Sequence, residues 1–149
     1  MGMIGTTDIL IQNEPDRNRL RIAVSRGFGI DPGMVAVDDA DGPRPIPSDA
    51  KVVLLRQPGN MPGDFPAWFS QVVEADLEPH VDAAWDDIAH ALSVVILSEA
   101  ADDDSTVHLP NGSRMVLFLP EEDEGGYRMT PELRRIIAES SPTQLRLVS

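Results

Sequence analysis

The sequence predicts an α/β fold of the α+β type: a two-layer sandwich in which a mixed sheet carries about three helices, largely on one face. Three observations lead there. Apolar runs of strand length recur at residues 8–12, 34–37, 52–55 and 114–119. Between them lie segments whose apolar residues repeat at helical spacing. The two kinds of element follow one another in mixed order, as expected for helices packed on a mixed sheet. A length of 149 residues with 42% hydrophobic content suits one domain, which at this size buries roughly 68–70% of its unfolded surface.

Residues 8–12 read as a first strand. Asn13-Glu14-Pro15 reads as a helix start, with a cap residue followed by proline. Leu20, Ala23, Val24 and Phe28 fall on one helical face, and Gly27 or Gly29 can end that helix in a left-handed conformation. Residues 34–37 form a second strand, which makes strand, helix and strand a βαβ candidate. Pro43, Pro45 and Pro47 forbid helix in the loop over residues 38–50. Residues 52–55 are a continuous apolar strand, buried on both faces. Residues 68–74 read as a strand, although Phe65, Trp68, Phe69, Val72 and Val73 also fit helical spacing.

The clearest helix begins near Pro79, with Val81, Ala84, Trp85, Ile88, Ala91, Leu92 and Val95 as its apolar stripe. Residues 94–97 follow as a strand, because four consecutive apolar residues break the amphipathic pattern. A hairpin of residues 106–109 and 114–119 turns at Asn111-Gly112, a type I′ signal, and His108 alternates with Val107 and Leu109 so as to face solvent. Thr130-Pro131 opens a last helix, with Leu133, Ile136 and Ile137 inward. Residues 145–148 suggest a terminal strand.

Charge is the strongest functional signal. The formal net charge is −13, and the residues between Arg56 and Arg114 contain eleven acids and no lysine or arginine. Such a segment repels phosphate and attracts cations or basic proteins. A nucleic-acid partner is therefore not expected, and the arginines 17, 19, 21 and 26 are read as partners of the chain's own carboxylates. With no cysteine, thiolate metal sites and a cysteine nucleophile are excluded. No apolar run reaches the roughly 20 residues of a spanning helix, so no membrane partner is expected and a cytoplasmic location is. Gly2 and Thr6 match the loose myristoylation pattern, without a polybasic patch beside them. Asn111-Gly-Ser113 matches a glycosylation acceptor, with no other sign of secretion. Eleven arginines against one lysine indicate the codon bias of a GC-rich genome, a bacterial-like composition.

Motifs for chemistry are sparse. Asp82/Asp86 and Asp86/His90 have the four-residue spacing of ligands on one helix, but two or three ligands on one helix need partners from elsewhere. Asp102-Asp103-Asp104 lacks the glycine and glutamate of a calcium loop. None of the serines lies in Gly-x-Ser-x-Gly, and phosphate-loop patterns are absent. No catalytic residue, metal site or cofactor is assigned. The expectation is a small, acidic, non-enzymatic binding protein, of the kind that inhibits a basic toxin, docking a basic protein partner. Its surface would comprise Glu74, Asp76, Glu78, Asp82, Asp86, Asp87, Asp102, Asp103 and Asp104, with Trp68 as an anchor. An accessory or homo-oligomeric subunit ranks second. A carboxylate- or divalent-metal-dependent enzyme built from the region around Glu78 to His90 ranks third.

Overall fold

The structure, a computed structural model, describes residues 3–13, 15–40, 49–57, 67–99, 104–118 and 131–140. Among the described residues it has the α+β architecture expected: one mixed sheet of seven strands with three α-helices. In chain order these are β1 (Met3–Ile11), α1 (Arg17–Phe28), β2 (Val35–Asp39), β3 (Val52–Arg56), β4 (Ala67–Glu74), α2 (Val81–Leu92), β5 (Ile96–Glu99), β6 (Asp104–His108), β7 (Arg114–Phe118) and α3 (Pro131–Ser140). The sheet order is β2-β3-β4-β1-β5-β6-β7. Among the described strands only β2 and β3 pair in parallel; the other neighbours are antiparallel. β1 and β2 point the same way, as a βαβ unit requires, but β3 and β4 lie between them.

Strand periodicity sorts the core into two sides. Ile9, Ile11, Leu54, Phe69, Val73 and Ile96 point to one face, where they meet Leu20, Val24 and Phe28 of α1 and Ala84, Trp85, Ile88 and Leu92 of α2. Leu10, Leu97, Val107 and Leu117 point to the other, where Ile136 and Ile137 of α3 cover them. Two helices thus share one face, and the third lies against the opposite one. Trp85 is fully buried, meets Phe28 edge-on with centroids 6.4 Å apart, and donates its indole N–H to Gln71. That bond satisfies the one polar atom an indole brings into a core.

Several boundaries differ from expectation for local reasons. Asp16, not Asn13, caps α1: its carboxylate accepts from the backbone N–H groups of Asn18 and Arg19 at 3.0 and 3.1 Å. Gly29, at φ 69°, ends the helix. Pro79 belongs to a 3-10 segment, Ala75–His80, that precedes α2. Ser93 takes the left-handed conformation (φ 55°) that stops α2, so β5 begins at Ile96, two residues later than the apolar run suggests. The hairpin turn is not type I′. Among its residues only Gly112 has positive φ, and its N–H donates to the Leu109 carbonyl while Leu109 N–H donates to Ser113. Pro110 fixes a negative φ, which moves the turn one residue forward into a three-residue loop ending in glycine. The β4 alternation of Phe69, Gln71 and Val73 into the core settles the strand over the helix. The strand expected at residues 145–148, most of the proline-rich loop and the loop over 58–66 lie outside the described residues.

α1 and α2 approach each other closely at Gly27. A Cβ there would stand 2.8 Å from Ile88 Cγ1 and 2.9 Å from the Ala84 carbonyl oxygen. A backbone oxygen cannot move aside as a flexible side chain can. Gly27→Ala should therefore lose about 1–3 kcal/mol to overpacking, overriding the roughly 0.5–1 kcal/mol that alanine normally gains in a helix. Urea denaturation of the two proteins measures the difference, and an increase in stability would contradict the close packing.

Candidate functional site

The row Asp82, Asp86 and His90 flanks the buried stripe of α2, each residue four after the last. This row has the spacing of metal ligands, but Asp86 and His90 bond to the β6–β7 hairpin and Asp82 is exposed. His90 Nδ1 lies 2.8 Å from the Pro110 carbonyl oxygen, so it donates there. Asp86 Oδ2 accepts from Arg114 Nη1 at 3.1 Å, and Asp86 Oδ1 accepts from His108 Nδ1 at 2.8 Å. Among the described residues no group of three or more His, Asp or Glu could hold a metal ion.

His108 corrects the sequence reading most sharply. It does not face solvent: its side chain is fully buried, on the face that α2 covers. In the β5–β6 register Ser98 stands opposite Thr106 and Ile96 opposite His108, so Ser98 and His108 are diagonal neighbours on one face. Ser98 Oγ lies 2.9 Å from His108 Nε2. An ionised Asp86 can only accept, so Nδ1 carries the ring proton in the neutral imidazole. Nε2 then bears a lone pair, and the Ser98 hydroxyl donates to it. The result is a chain Ser98–His108–Asp86–Arg114 drawn from β5, β6, α2 and β7.

Burial pushes the His108 pKa below its ordinary value of 6.5, against the opposing pull of the Asp86 carboxylate and, more weakly, of Asp82; Arg114 adds to the lowering. Both ring nitrogens are occupied, so the neutral form is held in a single tautomer.

The acidic residues separate into groups. Glu74 and Asp76 share Lys51, each 3.5 Å from its Nζ. The two carboxylates, Asp76 first, raise the Lys51 pKa above 10.5. Asp86, only 17% exposed, is turned into the relay. Glu78, Asp82 and Asp87 are exposed on the 3-10 segment and α2. Asp102 and Asp103 lie outside the described residues, as does the side chain of Asp104. Trp68 is half-buried in β4 on the face opposite Phe69, away from α2. Of the arginines on α1, Arg17 pairs with Asp38 and Asp39, as expected, whereas Arg21 donates to the Pro32 carbonyl and to Asn18.

The pairing of Ser98 with His108 is not visible in the sequence, because Ser98 lies in no serine-hydrolase motif, His108 reads as facing solvent, and ten residues separate the two. The signal that could have found them is the sheet register: two polar residues two positions out of step on paired strands share a face. Among the described residues no helix is long and apolar enough to cross a membrane. Comparison with protein-family models gives no match, and comparisons with curated proteins and with solved structures give none either.

Because the folded-state pKa of His108 lies below the unfolded value, its contribution to stability is complete above pH 6.5 and is lost as pH falls through the folded pKa. The melting temperature should fall between about pH 7.5 and 5.5, above the carboxylate range. His108→Gln should flatten that slope, whatever its effect on stability at pH 7.5. Thermal melts across the window test this, and equal slopes would contradict it.

Proposed function

We propose that this protein binds a basic protein partner through the carboxylates of the 3-10 segment Ala75–His80 and α2, in the manner of an inhibitor or immunity-type protein. The observation that carries the reading is the exposure of Glu78, Asp82 and Asp87 on one continuous stretch of chain, with no ion pair holding them among the described residues. Glu74 and Asp76 extend the stretch but share Lys51. Asp86, committed to Arg114 and His108, drops out of the contact surface and serves to position α2. A surface of this charge speeds encounter with a cationic partner and repels anionic ones. Trp68, on the other side of the sheet, is not part of this docking face.

Chemical crosslinking in native lysate followed by calorimetry on the purified pair tests the reading. The partner should carry a basic surface, and affinity should fall steeply with added salt. Combined Glu78→Gln, Asp82→Asn and Asp87→Asn substitutions should weaken binding on the order of tenfold or more while leaving the melting temperature in place. A complex indifferent to salt and to these substitutions would remove the acidic-face reading.

A further inference from the structure

The buried polar chain has an atomic order that a simple structural contact does not require. The serine hydroxyl meets the lone pair of Nε2 at 2.9 Å, and the opposite nitrogen, Nδ1, donates to a carboxylate at 2.8 Å. Nucleophile, base and orienting acid are each within hydrogen-bond reach, in the sequence general-base activation needs. The three come from different elements and are held rigidly: Ser98 and His108 by the ladder of β5 and β6, and Asp86 by the buried stripe beside it and by Arg114.

On the same face one cross-strand row links Ser98 to the edge of the sheet. Ser98 is opposite Thr106 on β6, and Thr106 is opposite Val116 on β7. These side chains form one cross-strand row. It begins at Val116, which is 61% exposed, and ends at Ser98, which is 4% exposed. Thr106 is itself buried, at 6% exposed, so any group that reaches Ser98 must be small. The exposed carboxylate of Asp82, whose charge is felt at His108, disfavours an anion there.

We propose that Ser98 is a nucleophile activated by His108, with Asp86 orienting the base, and that it accepts small acyl groups from uncharged or cationic esters. In the step, Ser98 Oγ bonds to the ester carbonyl carbon while its proton moves to His108 Nε2. The carbon–oxygen bond to the alcohol breaks, and the departing alcohol takes the proton from Nε2. Water then attacks the acyl-serine, again giving its proton to Nε2, and Nε2 returns it to Ser98 as the carboxylic acid leaves. His108 and Ser98 end in their starting states. This capability does not depend on docking by the acidic face.

The test uses the full chain with an uncharged alkyl fluorophosphonate, which phosphonylates an activated serine with loss of fluoride. Intact-mass measurement should show a single adduct, and peptide mapping should place it on Ser98. Ser98→Ala, which removes one hydroxyl, should abolish the adduct in protein that still folds, as its far-UV circular dichroism and cooperative melt would show, although the orphaned Nε2 lowers the melting temperature. Asp86→Asn should slow labelling at least tenfold, because the carboxylate no longer holds the Nδ1–H tautomer. The labelling rate should also rise with pH as His108 loses its proton. No adduct on Ser98 after prolonged exposure of folded protein would overturn the proposal. So would labelling that persists in Ser98→Ala, or that proceeds equally in heat-unfolded protein.

Discussion

The seating of α2 on the sheet governs both the core and the polar chain. Trp85 enters the core fully, bonded to Gln71 and packed against Phe28, and this fixes the rotation of the helix. Once that rotation is set, Asp86 is carried round by the helical step to the flank that faces β6 and β7. There it meets His108 and Arg114. Asp82 and Asp87, one turn before it and one residue after it, remain in solvent. A single packing decision therefore divides neighbouring carboxylates into one that is structural and two that are available to a partner.

The constraint acts in the other direction as well. A buried imidazole without partners would be costly, since an unsatisfied polar group away from water loses on the order of 1–3 kcal/mol. His108 is satisfied at both nitrogens only if α2 delivers Asp86 and β5 delivers Ser98. The polar chain thus fixes the register of β5 against β6 and the position of the helix above them. The close approach of α1 and α2 at Gly27 fixes the same helix from its other side.

Acidity and the buried chain are consequently separate properties of one helix. The exposed carboxylates supply a field that reaches into solvent and is screened by salt. The Asp86–His108 contact sits where solvent screening is weak, so the ring's protonation state is linked to how well the helix stays on the sheet. Lys51 shows the contrasting surface case: two carboxylates hold its charge, in solvent, with little consequence for the core.

Much of the fold was legible in the sequence because its signals are local. The stripes of α1 and α2, the strands β3, β4, β6 and β7, and the mixed character of the sheet follow from periodicity and turn residues. The misplaced details were those where two local signals competed: Asn13 against Asp16 as a cap, and Asn111-Gly112 against the fixed angle of Pro110. Charge segregation was also fully written in the sequence, since it is a count along the chain. What only the tertiary structure decided is which side chains meet. His108 was read as outward because alternation says only that it opposes Val107. It cannot say that both faces of the strand are covered, one by α2 and the other by α3. Ser98 joins it through sheet register, and Asp86 through the rotation of α2, and both are set by non-local packing that no short stretch of sequence encodes.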